Sequence, residues 1–207
     1  MNKNVILVFG TFNPVTCAHI NLSHIAKKKI KNSDVYYVVS KSEFLSSWKK
    51  YDKNEIMSDD DRLRLLKESI KDIKDVYVSD IEISGLVDGK TINTVSYFKN
   101  ELSYENVYLI FGTDKLSEFH TWYKGMELIR DNKFLIIQRD DDDFELKMTE
   151  YTNKYRDNFI LLDLDNEYKY ISSTKVRNAY LSKDFDALIN MVPAPVYNYF
   201  LNKESLS

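Results

Sequence analysis

A chain of 207 residues with 43% apolar and 29% charged residues can build a folded core, which excludes an intrinsically disordered polymer. Its net charge of -3 argues against general nucleic-acid binding, and one cysteine allows neither an internal disulfide nor a cysteine-rich zinc site. No run approaches the roughly 20 apolar residues of a membrane span, and no apolar segment follows a basic start, so the expected compartment is the cytoplasm, away from membranes.

Residues 5–9 are apolar without alternation and predict a strand buried on both faces. Gly10 ends it, and residues 18–30 predict a helix. A second strand is expected at 35–39, then a long loop over 41–57, where no period is visible. Ser58 followed by Asp59, Asp60 and Asp61 reads as an N-cap with acids in the first helical turn, on a helix turning Leu63, Leu66 and Ile70 inward. A short strand at 76–78, a turn between Gly85 and Gly89, a helix at 91–102 and strands at 107–111, 134–137 and 159–162 follow. Residues 140–143 are acidic and read as a solvated loop. Residues 145–155 fit one helix, and 173–181 and 196–201 close the chain as helices. Strands alternating with helices predict an α/β fold, a parallel sheet with helices on both faces. We expect a single domain over 1–207, with a small helical part from about 171 to 207. Ligands of such sheets bind beyond the carboxyl ends of the strands, so Gly10, Ser40, Gly112 and Arg139 should converge on one crevice.

Two segments carry chemistry. In Gly10-Thr11-Phe12-Asn13-Pro14-Val15-Thr16-Cys17-Ala18-His19 a strand feeds a glycine turn and then a helix, the layout that offers free backbone N–H groups and a helix dipole to an anion. A second anion-site pattern, Ile171-Ser172-Ser173-Thr174-Lys175-Val176-Arg177, lies far downstream. Two phosphate-type loops in one small domain point to a polyphosphate such as ATP.

Together these loops resemble the paired signatures of the nicotinate and nicotinamide mononucleotide adenylyltransferases, of the nucleotidyltransferase superfamily. Phe111-Gly112-Thr113-Asp114-Lys115-Leu116 with Trp122-Tyr123-Lys124, the turn Thr91-Ile92-Asn93-Thr94, and the closing Met191-Val192-Pro193 through Tyr199 resemble further segments of that family in the same order. The resemblance implies a Rossmann-like nucleotidyltransferase fold. The implied reaction transfers AMP from ATP to nicotinate mononucleotide, with nicotinamide mononucleotide as the other candidate, and releases pyrophosphate in the synthesis of NAD. Mg²⁺ would travel on the ATP phosphates, with no protein metal site.

His19 and Arg177 are the implied catalytic residues, both on the phosphates. Gly10, Thr11 and Phe12 would offer backbone N–H groups to ATP. Thr16 would offer a hydroxyl or cap the helix. Ser173 and Thr174 would donate to phosphates, Ile171 and Ser172 would border the adenine, and Gly112 with Asp114 would hold a ribose. Thr91, Thr94, Trp122, Lys49 and Arg139 are the candidates for the mononucleotide, with Trp122 stacking on the pyridine ring. Three features depart from the commonest pattern: Phe9 precedes a single glycine, Thr16 stands where many bacterial members have histidine, and Asn93 where aspartate is common. Length and the Thr91–Thr94 turn lean to nicotinate, and Thr16 leans to nicotinamide. Another member of the superfamily, phosphopantetheine adenylyltransferase-like, or a non-catalytic nucleotide-binding sensor stays open as an alternative, and so does a homo-oligomer.

Overall fold

The computed structural model describes residues 3–43, 57–138 and 143–205. At its centre runs β1 (Asn4–Gly10), whose Val5 and Leu7 enter the core on one face while Ile6 and Val8 enter it on the other. Both faces are covered, which is why this strand shows no polar alternation. It pairs in parallel with β2 (Ser33–Val39) and β4 (Asn106–Gly112), Leu7 lying opposite both Tyr36 and Leu109. With β3 (Val76–Ser79), β5 (Lys133–Ile137) and β6 (Phe159–Leu162) the sheet is six-stranded and parallel, in the order β3-β2-β1-β4-β5-β6.

Helices cover both faces. On the Ile6 side pack α1 (Cys17–Lys29) through Leu22 and Ala26, and α2 (Asp59–Ile70) through Leu65, Leu66 and Ile70. The C-terminal helices α5 (Ser173–Leu181), α6 (Phe185–Met191) and α7 (Ala194–Ser205) join the same cluster through Val176, Leu188, Val196 and Phe200. On the Val5 side, α3 (Thr91–Asn100) contributes Val95 and Phe98, and α4 (Gly125–Asp131) contributes Leu128 and Ile129. The expected α/β class and helical C-terminal part are both present. Among the described residues no helix is long and apolar enough to cross a membrane.

Two local expectations change, and two short helices appear for which the sequence carried no reading. Residues 145–155 form not one helix but two single turns, Phe144–Lys147 and Glu150–Asn153. Thr149 caps the second by accepting from the Thr152 amide, while its own amide donates to the Thr152 hydroxyl. That side-chain bonding competes with a continuous helix. Helices α4 and α6, seven residues each, are too short to show a period in the sequence. Gly125 opens α4 because a Cβ there would strike the Phe119 carbonyl oxygen. In α2 Leu63 is only half-buried, and Arg62 goes fully inward with Leu65 and Leu66.

Candidate active site

The sheet order reverses between β1 and β4, and the loops leaving these two strands diverge there into a crevice. Gly10 lies opposite Val39 and its carbonyl accepts the Ser40 amide at 3.0 Å, while Gly112 lies opposite Ile137, so the strand ends are level. Between them is a cavity of about 280 Å³. Its wall carries Gly10, Thr11, Phe12 and His19 from the first loop, Gly112 and Asp114 from the β4 end, and Ser172, Ser173, Thr174 and Arg177 from the start of α5. Phe9 and Phe111, from adjacent strands, stack in the same wall with ring centroids 5.3 Å apart.

The first loop owes its shape to packed side chains. Phe12 holds the left-handed φ of 46°, uncommon for a residue with a Cβ. Its ring is buried edge-on between His19, 5.2 Å away, and Tyr37, 5.5 Å away. Gly10 is required by that ring, since a Cβ would sit 2.8 Å from the Phe12 Cζ. Gly10→Ala is therefore expected to lower the thermal midpoint. Overpacking costs about 1–3 kcal/mol, and each kcal/mol shifts Tm by about 2–4 °C at this size. Scanning calorimetry measures it, and an unchanged midpoint would mean that Phe12 is free to move aside.

Thr16 is the N-cap of α1 and is fully buried, so it stands behind the cavity wall rather than on it. Its hydroxyl accepts the His19 amide at 3.3 Å and lies 2.8 Å from His19 Nδ1. Its own amide donates to Nδ1 at 3.1 Å. A ring nitrogen that accepts an amide N–H carries no proton, so the neutral imidazole keeps its proton on Nε2. Tyr37 fixes the same residue from below, its buried phenol donating to the His19 carbonyl at 2.8 Å. Of the two readings of Thr16, the helix cap is present, and the capping hydroxyl and amide also hold the His19 ring.

The second loop is bonded to the first. Ser173 Oγ donates to the Pro14 carbonyl at 2.8 Å, and Arg177 Nη1 donates to the Asn13 carbonyl at 2.8 Å, across 159 and 164 positions of chain. Arg177 Nη2 also reaches Thr174 Oγ1 at 3.3 Å. Ser172 caps α5, accepting the Lys175 amide at 3.3 Å, and the Ile171 amide donates to the Tyr168 carbonyl at 3.1 Å. The Ser173 hydroxyl thus donates within the protein, while that of Ser172 accepts. At the β4 end a Cβ on Gly112 would run into Asp114 Oδ1.

Of the mononucleotide candidates among the described residues, Trp122, Thr91 and Thr94 are not on the cavity wall. Trp122 is half-buried and stands edge-on to Phe111 at 5.3 Å and to Phe119 at 4.9 Å. Thr91 is the first residue of α3, and Lys90 before it lies over the Tyr123 ring at 4.8 Å, which joins this helix start to the Trp122 segment. Thr94 is buried, its hydroxyl donating to Glu82 Oε1 at 3.2 Å. Lys49 and Arg139, with most of the loop at 41–57 and of the acidic patch at 140–143, lie outside the described residues.

Sequence reasoning passed over three groups. Lys115 lines the cavity; burial pulls its ammonium down, but bonds to Glu118 and Asp114 outweigh that and hold it above the usual lysine value. Arg62 is fully buried on α2 and reaches the first loop. Glu82 is buried beside Ser40 and Thr94, and desolvation raises its carboxyl above the usual range against the lowering effect of those two hydroxyls. A carboxyl that binds its proton more tightly folded than unfolded loses stability as pH rises from the unfolded value through the folded one. Glu82→Gln, which keeps the acceptor for Thr94, should abolish that part of the decline. Thermal midpoints from pH 4 upward test this, and parallel profiles for the two proteins would contradict it.

The donor set indicates the ligand's charge. Among the described residues, His19, Lys115 and Arg177 line the cavity with a single carboxylate, Asp114. That wall suits a polyanion that brings its own cation better than a resident divalent ion, which wants several oxygen ligands. Cys17, at the first position of α1, has its thiol pushed up by burial, the opposite of an activated nucleophile.

Comparison with known proteins agrees with this geometry. The cytidylyltransferase-like family model matches residues 7–179. A curated relative named probable nicotinate-nucleotide adenylyltransferase, from Fusobacterium nucleatum, is 33% identical over 183 residues, covering 87% of this chain and 90% of that one. A relative of the same name from Caldicellulosiruptor saccharolyticus is 30% identical over 202 residues, 96% of each chain. Among solved structures, Plasmodium falciparum nicotinic acid mononucleotide adenylyltransferase complexed with APC superposes with a TM-score of 0.73 at 18% identity, covering 99% of this chain and 96% of that one. The same enzyme complexed with NaAD gives 0.72 at 17% identity, over 99% and 97% of the chains. With a family model across most of its length and relatives matched nearly end to end, the chain belongs to the cytidylyltransferase-like nucleotidyltransferases, in their nicotinate-nucleotide adenylyltransferase group.

Proposed function

We propose that the protein transfers AMP from ATP to nicotinate mononucleotide, releasing pyrophosphate. The observation that carries this reading is the direct bonding of the two phosphate-type loops, Ser173 to Pro14 and Arg177 to Asn13, which makes one cradle out of two helix starts. The relatives' names, and the Plasmodium falciparum structures complexed with APC and with NaAD, support the substrate pair.

In this reading the 5′-phosphate of the mononucleotide attacks the α-phosphorus of ATP in line, and pyrophosphate leaves. The protein's task is to bring two polyanions together and to meet charge developing on the phosphoryl oxygens. His19 donates from Nε2, Arg177 supplies a fixed cation, and the starts of α1 and α5 offer amide N–H groups. Mg²⁺ arrives on the ATP phosphates and neutralises part of their charge. Asp114 and Gly112 border a ribose. Trp122 presents an aromatic face to the pyridine ring. At the start of α3 the Asp88 carboxylate already accepts the Lys90 amide at 3.1 Å and Asn93 Nδ2 at 2.9 Å, so the choice of nicotinate over nicotinamide rests on the relatives' names.

Pyrophosphate release from Mg²⁺-ATP, measured in parallel with nicotinate mononucleotide, nicotinamide mononucleotide and phosphopantetheine, tests the reading. A preference for nicotinate mononucleotide of about 100-fold in kcat/KM is expected, equivalent to about 2.7 kcal/mol. Turnover only with phosphopantetheine, or ATP binding without any turnover, would replace it.

A further inference from the structure

We infer that Arg62 is a positioning residue for the phosphate loop, holding the Thr11–Phe12 peptide in the orientation that presents the Phe12 N–H to the ATP phosphates. This rests on the adenylyl-transfer reading above. The Arg62 side chain is 0% exposed. Nη1 donates to the Thr11 carbonyl at 2.6 Å, and Nη2 donates to Asp59 Oδ1 at 2.6 Å. Nε is a buried donor with no partner among the described residues.

A helix of this kind does not need such a group for its own sake. Arg62 stands three and four positions before Leu65 and Leu66, on the face of α2 that enters the core, where an apolar residue would pack without desolvating a charge. A guanidinium kept there, with a donor left over, is set to a carbonyl that an apolar side chain could not hold.

The carbonyl it holds is in the cavity loop. In a planar trans peptide the C=O and the following N–H point in opposite directions. Holding the Thr11 oxygen toward α2 therefore turns the Phe12 N–H away from Arg62, in a loop whose Thr11 and Phe12 both line the cavity. The same helix start grips the loop again, since the Met57 amide donates to Asn13 Oδ1 at 2.9 Å. On the other flank Ser173 and Arg177 hold the Pro14 and Asn13 carbonyls. The Thr11, Asn13 and Pro14 carbonyls thus each meet a fixed donor, and the left-handed φ of Phe12 lies inside this clamped stretch.

The test compares wild type with Arg62→Met, Arg62→Lys and Asp59→Asn in the full chain, reading Mg²⁺-ATP affinity by calorimetric titration, kcat, and KM for each substrate, with Tm recorded alongside. Arg62→Met should weaken ATP binding by about ten- to a hundredfold, the range for a hydrogen bond to a charged group, lower kcat, and leave KM for the mononucleotide unchanged. Arg62→Lys, whose ammonium reaches one of the two oxygens, should recover part of the loss. Asp59→Asn should lower Tm while keeping ATP affinity. Wild-type ATP affinity and kcat in both Arg62 variants, whatever their Tm, would overturn the inference, as would an equal loss of ATP affinity in Asp59→Asn. If Arg62→Met does not fold, the lysine and asparagine variants decide the matter by the same criteria. Absence of pyrophosphate release from wild type, with ATP still bound, would reject the reaction but not the role of Arg62, which the affinities measure separately.

Discussion

His19→Ala should lower kcat by about 10²–10³, the cost of removing one preorganised donor from a developing oxyanion, with the fold retained. The reason lies in how the ring is held. Thr16 meets Nδ1 from two sides and Tyr37 ties the His19 backbone, which fixes the ring of a residue that lines the cavity. The alanine also removes half of the capping box at the start of α1, which costs about 1 kcal/mol of stability. Loss of turnover and loss of stability should therefore appear together but at very different scales. Pre-steady-state measurement of adenylyl transfer, with circular dichroism on the same sample, separates them; near-normal kcat in a folded variant would remove His19 from the chemistry.

Arg177→Ala should raise KM for ATP by ten- to a hundredfold, roughly the worth of a charge-assisted hydrogen bond to phosphate, and lower kcat as well. Two losses combine: the cation on the cavity wall, and the bond that fastens α5 to the Asn13 carbonyl. Arg177→Lys should restore only part of the ATP affinity, because one ammonium cannot reproduce the fork spanning the Asn13 carbonyl and Thr174 Oγ1. Initial rates against ATP concentration at saturating mononucleotide check this. An unchanged ATP dependence would assign Arg177 to holding the loops together and nothing more.

Much of this architecture is legible along the chain because it is local. An apolar run on both faces, a glycine and a helix start within ten positions announce β1, the loop and α1. The same logic places β4 before Gly112 and α5 after Ser172. What resists reading is partnership across long separations. The helix cap at Thr16 is legible, but nothing near it says that its amide also meets the His19 ring. Nothing near Ser173 names the Pro14 carbonyl as its partner. Arg62 left a trace: an arginine three before Leu65 and four before Leu66, and three after Asp59, marks a charge on a core face with its counter-ion one turn back. Glu82 left none, since its burial depends on where the turn before α3 meets Ser40 and Thr94.

The cradle's purpose is to expose one phosphorus to attack, and isotopic tracing reads that most directly. ATP labelled at the α-phosphorus, and separately at the γ-phosphorus, is incubated with the full chain, Mg²⁺ and nicotinate mononucleotide. The α-label should enter the dinucleotide one for one with pyrophosphate formed, and the γ-label should leave entirely as pyrophosphate. Transfer of the γ-label to the mononucleotide, or ATP consumed without α-label in a dinucleotide, would show that the joined loops present a different bond.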